Sequence, residues 1–442
     1  MASFIENIEK IWNESENSTF DFESKVDRKN YLEHFIEKGL PTRRDEDWKY
    51  TNTNFLNKIN FFQNYAKNNI KNNISDVNYK LISEQLIPEL DVELVVFVNG
   101  KFSEKLSSFS VNNKLQILPF SRLEKDKYIN FTKYFSKMID AEESNNHRFE
   151  NLNRALYSDG LFIEVSENFK AGKPIHILNI ADTRTSPVII NHRNLFISGV
   201  NSDIKIINSY QTIGDFESIF NISSEINVDN NSKLVYFNLQ NDDREKSHIF
   251  NITKSNIAKS STFSDYTFSL SGKFIRNDLR STLKGEHSGA NFFGLYLADG
   301  NSLVDNHSFV SHEVPHCQSN EFYKGILDER AKGVFNGKVL VKKDAQKTDA
   351  IQQNRNIVLS DKAQINTKPE LEIYADDVKC SHGATTGVID EDALFYMRQR
   401  GIPKSKAKAL LMFTFCFEII DKIEIPEIKQ YLSHIIQKRL NV

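Results

Sequence analysis

From Leu161 to about Ile373, short runs of Ile, Val, Leu and Phe alternate with small polar turns, and no helical pattern interrupts them. Asn194–Ile207, Ile226–Phe237, Leu283–Phe293 and Ile357–Ile365 are examples. The polar corners near Ser202, Ser232, Ala258 and Ser288 fall about 26–30 residues apart, the spacing of a structural repeat. Roughly 200 residues of short strands can form a sandwich or a stack of β-coils. Few prolines and isolated corner glycines favour the stack.

The flanks read differently. Phe4, Ile8, Ile11 and Trp12 recur at helical spacing, and Tyr31, Phe35 and Ile36 do so again before Gly39 ends a second helix. In Leu40–Tyr50, Thr42 can cap a turn with Asp45 and Glu46 at its positive end, and Arg43 and Arg44 beside three acids read as a surface ion-pair cluster around Trp48. Residues 61–80 are rich in Asn and Lys and read as a connection. Glu93–Phe102 is strand, Asn-Gly turn, strand, a strong hairpin signal. Residues 122–158 return to helical character.

After the coils, Asp390-Glu391-Asp392 opens a helix that ends at Arg398, Arg400 and Gly401. Ser405 can cap a second helix through Lys422, and a third runs from Pro426 to about Leu440. The middle helix is apolar nearly all round, so both of its faces need cover. Leu410, Phe413 and Phe417 are its candidate partner-binding residues. The organisation expected is a mostly helical domain at 1–158 that includes the hairpin, a β-coil core at 159–376 and a helical domain at 377–442.

Composition narrows the function. The 442 residues are 39% hydrophobic and 26% charged, as in a folded globular protein, and exceed one ordinary core. A net charge of −3 supplies no global field for nucleic acid or an anionic membrane. The most apolar run, Ala409–Ile420, is too short to span a bilayer and carries Thr414 and Glu418. The first residues mix acids among apolar side chains, unlike a secretion signal. Three cysteines, at 317, 380 and 416, form no disulfide framework, so a reducing, cytoplasmic setting is expected.

Two stretches carry candidate chemistry. Glu370–Tyr374 alternates as a last strand, and Cys380-Ser381-His382-Gly383 follows on a tight segment. In extended backbone, positions i and i+2 face the same way, so Cys380 and His382 can meet one partner together. A satisfied turn histidine beside a small buried thiol is the commoner outcome for such a pair. The second stretch places His307, His312, Glu313, His316 and Cys317 within eleven residues. His312, His316 and Cys317 are possible metal ligands by type, but their spacing matches no zinc-finger or HExxH pattern, and side chains on a strand-plus-turn diverge. Histidines hydrogen-bonding along coil corners are the plainer account. Gly333–Lys338 lacks the phosphate-loop spacing, no dinucleotide fingerprint or nucleophile elbow occurs, and Asp328 and Glu329 are unmarked carboxylates that a sugar-cleaving solenoid could use. Cys416 reads as packing.

Leu40–Tyr50, Phe335–Val339, Ala345–Ala350 and the block beginning at Cys380, read together, resemble the SufB/SufD family of iron–sulfur cluster assembly proteins. Asp377–Thr385 is nearer the SufD branch, since the SufB branch carries a Gly-His-Glu-type block there. The resemblance implies a mainly β fold, a right-handed parallel β-helix core flanked by N-terminal and C-terminal helical domains. It implies two partners, a SufC-type ABC ATPase docking on the C-terminal helices and a SufB-type paralogue joined through the β-helix, with a homodimer in their absence. It places Cys380 and His382 at the paralogue interface, with His382 the expected metal ligand. Three cysteines cannot give one cluster four thiolates. No stably bound cofactor is therefore expected in the isolated chain, only a transient iron or iron–sulfur cluster at the interface. A non-catalytic scaffold is the reading that follows. A solitary β-helix hydrolase or polysaccharide-acting enzyme, and a SufB-like scaffold that holds the cluster itself, are the alternatives.

Overall fold

Between Glu93 and Gly387 the chain coils into two facing sheets, each turn of the coil giving one strand to either sheet. The computed structural model describes residues 3–15, 25–59, 61, 77, 79–83, 86–123, 128–138 and 147–442. Most of the 61–80 connection and parts of 122–158 lie outside these residues. The described helices are α1 (Phe4–Ser15), α2 (Lys25–Lys38), α3 (Tyr79–Ser83), α4 (Tyr128–Tyr134), α5 (Arg148–Leu156), α6 (Glu391–Gln399), α7 (Lys404–Ile420) and α8 (Pro426–Leu440).

The first sheet holds β1 (Glu93–Val98), β2 (Lys101–Phe102), β5 (Ile175–Asp182), β7 (Asp203–Ile213), β9 (Lys233–Asn241), β11 (Thr262–Ser271), β13 (Gly289–Ala298), β15 (Gln318–Leu327), β17 (Asp349–Val358) and β19 (Lys379–Gly387). The second holds β3 (Leu115–Pro119), β4 (Asp159–Val165), β6 (Val188–Ser198), β8 (Ser218–Val228), β10 (Ser247–Ile257), β12 (Phe274–Leu283), β14 (Leu303–His312), β16 (Lys332–Val341) and β18 (Gln364–Ile373). From β5 onward, odd strands begin 27–31 residues apart, and each pairs in parallel with the next of its own sheet. The result is a β-solenoid of about eight coils with helices before and after it.

Side-chain alternation makes the core. Inward residues of the two sheets, among them Ile204, Tyr236, Phe263, Phe292, Ile275 and Phe335, form one apolar cluster along the axis. One line of corners repeats a positive φ at Asn201, Asn231, Ser260, His287, His316 and Lys347. The residue after each corner is small and polar. Ser232 Oγ donates to Gly199 O, and Ser261 Oγ to Asp229 O one coil on. This ladder satisfies corner carbonyls inside the stack.

The solenoid runs beyond the segment expected from sequence at both ends. The hairpin forms as read, with Asn99 and Gly100 in left-handed backbone, but β1 also pairs in parallel with β5 and so opens the first sheet. At the other end β19 is a full strand. Cys380 and His382 therefore lie on a strand rather than on a turn after the last one.

Leu40–Tyr50 is a latch rather than a surface ion cluster. Trp48 is buried against Phe149, and the Arg276 guanidinium of β12 lies 4.1 Å from its ring centre. Arg276 also donates to Asp47 O at 2.8 Å and pairs with Asp278 and Asp305. Asp45 pairs with Arg148, and Lys368 of β18 reaches Glu46 at 2.9 Å.

The middle C-terminal helix α7 gets its cover from the solenoid. Cys416, Ile419 and Ile420 join α8 residues Ile428, Leu432 and Ile436 over outward Phe237, Tyr266, Phe293 and Phe322 of the first sheet. Lys324 fastens this contact, its ammonium 3.0 Å from Phe415 O, 2.7 Å from Glu418 and 4.1 Å from the Phe415 ring centre. Pro403, not Ser405, is the N-cap of α7.

Candidate functional site

The last coil leaves the interior of the solenoid open. Strands β18 and β19 are the edges of their sheets, so each carries backbone groups with no strand beside them. Inward residues of β18 by register are Ile365, Thr367, Pro369, Leu371 and Ile373, and those of β19 are Cys380, His382, Ala384 and Thr386. Every inward column of the earlier coils is roofed by the next coil. Here, among the described residues, there is none, and Ile373 is 40% exposed and His382 exposed although both occupy core positions.

The mouth has two halves. Cys380 and Leu371 rest on a small apolar floor of Val339, Val341 and Ala350. Burial pushes the Cys380 thiol up from its ordinary value, and the nearby Asp349 carboxylate adds to this. The thiol is therefore kept protonated, a poorer ligand than a thiolate. His382 stands over the polar half. Its register neighbour is Gln352 on β17, whose neighbour in turn is Glu321 on β15, and both are buried. The structure thus places the sequence-predicted pair on one side of one strand, His382 reachable and Cys380 half-buried.

The second candidate cluster is not assembled. His312 is the last inward residue of β14, with Nε2 2.9 Å from Ser319 Oγ and Nδ1 3.4 Å from Thr348 Oγ1. Burial lowers its pKa to about 4, so the ring is neutral and both nitrogens are occupied. His316 is exposed on the corner line and stacks on His287, centroids 5.0 Å apart. Cys317 takes the ladder position that Ser232 and Ser261 hold in earlier coils, with Sγ 3.3 Å from Gly285 O and from Ser288 Oγ. A thiol there does the work of a corner hydroxyl. One side chain points in, one out and one along the corner, and among the described residues no group of three His, Cys, Asp or Glu could hold a metal. Asp328 and Glu329 are likewise engaged, accepting from Glu329 N at 2.7 Å and Gly300 N at 2.8 Å.

On the C-terminal helices, Leu410 and Phe413 are half-buried and Phe417 is exposed, with the Phe413 and Phe417 rings 5.8 Å apart. Phe395 and Tyr396 on α6 are more exposed still, at 61% and 57%. Sequence periodicity identified the α7 stripe and passed over the α6 pair. It also missed Gln352 and Glu321, which one coil length counted back from His382 and then from Gln352 would have found. Among the described residues no helix is long and apolar enough to cross a membrane.

The sequence models of known families divide the chain near the start of the solenoid. Residues 8–177 match the SufBD protein N-terminal region, and residues 180–415 match the SufBD core domain of SUF-system FeS cluster assembly. A SufBD-family iron–sulfur cluster assembly protein of Synechocystis is 32% identical over 90% of this chain and 87% of its own length. The cluster assembly protein SufD of Escherichia coli is 28% identical over 93% and 92%, and that of Bacillus subtilis 23% over 91% of each. The Phe335–Val339, Ala345–Ala350 and Cys380 blocks all lie in the last coils, inside the matched core domain. The chain belongs to the SufBD family of iron–sulfur cluster assembly proteins.

Proposed function

We propose that the chain is a non-catalytic scaffold subunit of a SufBCD-type complex, working in the cytoplasm. Its open solenoid end docks on a SufB-type paralogue, and its C-terminal helices dock on a SufC-type ATPase. The observation that carries this reading is the unroofed last coil, where two full-length edge strands and a set of inward residues await a continuing surface. A second solenoid abutting that end would bury Leu371 and Ile373 and enclose His382.

Iron or a nascent cluster is the cargo of that interface. His382 offers it an imidazole nitrogen, the paralogue supplies thiolate, and Cys380, with its proton retained, plays the lesser part. A mixed nitrogen and thiolate site suits a cluster that must be passed on. The Leu410, Phe413 and Phe417 stripe, with Phe395 and Tyr396, supports the ATPase contact, and the ATP cycle would act by shifting the arrangement of the two solenoids.

The test is a tagged pull-down from the native cytoplasm, with co-purifying proteins identified by mass, followed by His382→Ala in cells. Recovery of an ABC-type ATPase with a β-helix paralogue, and impaired cluster delivery by a normally expressed His382→Ala chain, is the expected result. A chain recovered alone, or normal delivery by the variant, contradicts it. A larger defect from Cys380→Ala would move the ligand role to the thiol.

A further inference from the structure

Beneath His382 lies a pair of buried polar side chains that no apolar core requires. Glu321 is fully enclosed, and its Oε2 accepts from Ser308 Oγ across the interior and from Gln352 Nε2 at 3.3 Å. Oε1 of Glu321 and Oε1 of Gln352 are both buried with no hydrogen-bond partner among the described residues. The facing strand makes room for this arrangement. Gly337 of β16 lies opposite, and a Cβ there would come within 2.4 Å of Gln352 Nε2 and 2.8 Å of the Phe335 ring. Tyr323 on β15, Tyr296 on β13, Asp265 on β11, His312 on β14 and, at the mouth, Cys380 on β19 are further ionisable groups turned into this part of the interior.

A primary amide between a carboxyl group and an imidazole has two useful orientations. With Glu321 ionised, the amide N–H donates inward, as observed, and its carbonyl is left to accept the N–H of an imidazole at the mouth. With Glu321 protonated, the carboxyl O–H donates to the amide carbonyl, and an amide N–H turns toward the mouth. Burial holds the Glu321 carboxyl up at about 7, so both forms are accessible near neutrality. A ring nitrogen that binds a metal is ordinarily fixed by the hydrogen bond made at the other nitrogen. His382 is the next residue outward in this column, its Cα in register with Gln352.

We infer that Gln352, oriented by Glu321 and admitted by the missing side chain at Gly337, is a positioning residue that sets the tautomer of His382 and so directs its free nitrogen out of the mouth. This rests on the reading of His382 as the cargo-binding residue.

The experiment uses the full chain with ¹⁵N-labelled histidine near pH 8, the His382 ring signals being assigned by their loss in His382→Gln. In the wild type one tautomer of His382 is expected to exceed the other at least tenfold. Gln352→Leu and Glu321→Gln each bring that ratio at least threefold closer to unity. Gly337→Ala, which displaces the amide without removing it or the carboxyl, gives the same relaxation independently should Gln352→Leu unfold. A ratio unchanged in Gln352→Leu or in Gly337→Ala overturns the inference, and one unchanged in Glu321→Gln alone overturns the part given to the carboxyl. If His382→Ala delivers clusters normally, the cargo reading fails while the tautomer result stands. An unchanged ratio alongside a delivery defect removes this inference only.

Discussion

The two ends of the solenoid are built to opposite purposes. At the N-terminal end the first sheet stops in β2, two residues long, and the second in β3, five residues long and ending in Pro119, both antiparallel to the strands they cover. Short edges and proline discourage further pairing. Phe102 and Phe109 pack on the core cluster there, and Phe120, Phe131, Phe135 and Tyr157 pack with Phe162, Leu195 and Ile197 on the outer face of β4 and β6. At the C-terminal end β18 and β19 keep ten and nine residues and are left bare. Glycines measure the contrast. A Cβ at Gly160 would fall 1.9 Å from Arg193 O and 2.5 Å from Phe120, whereas one at Gly383 or Gly387 would meet nothing within 4 Å. Among the described residues, one end is covered and the other is not.

The largest effect should follow from Gly160→Ala at the sealed end. The methyl group has no room, and displacement of β6 or Phe120 should cost about 3 kcal/mol or more, seen as loss of soluble protein or a lowered urea midpoint. A cost under ~1 kcal/mol would mean that the end is not tightly closed.

Glu321→Gln probes the polar half of the open end. Burial raises the folded-state carboxyl pKa from 4.5 to about 7, so the folded chain holds a proton there that the unfolded chain has released. The stability this proton gives is complete below the unfolded value and lost as pH rises through about 7. The variant has no such loss. Relative to wild type it should gain roughly 2–3 kcal/mol between about pH 4.5 and pH 7.5 and hold level above that. A difference that does not change with pH would show that Glu321 is ionised or solvated in the fold.

Ile373→Lys places a charge among the exposed inward residues of the mouth. The isolated chain should change by less than ~0.5 kcal/mol, while affinity for the paralogue drops about tenfold. Equal affinity, measured by titration calorimetry, would move the interface elsewhere. Smallest of all, Gly383→Ala should leave the thermal midpoint of the isolated chain unchanged, since nothing lies within reach of the added methyl. A clear loss of stability would show that β19 is covered in solution.

Much of this architecture was legible in the sequence because it is local. Asn99-Gly100 specified its hairpin, and the corner spacing specified the coil length. The i, i+2 relation puts Cys380 and His382 on one face even though β19 is poor in β-formers and carries no strand pattern of its own. What escaped was set by contacts across coils. Trp48 sits on Arg276, and the residues beneath His382 in its column lie one and two coils upstream. The His307–Cys317 cluster, which the sequence reads more plainly as corner histidines than as ligands, stays apart for a related reason. Neighbours in sequence diverge in a coil, and Cys317 only fills a place that serine fills elsewhere. The all-round apolarity of α7 signalled two contacts, of which the solenoid provides one.

The most direct test of the unfinished end is hydrogen–deuterium exchange on the full chain, alone and with the co-expressed SufB-type paralogue. Amides of β18 and β19 should exchange fast in the isolated chain and become protected in the complex, with those of β2 and β3 unchanged. Protection confined to β2, β3 or the N-terminal helices would contradict the account.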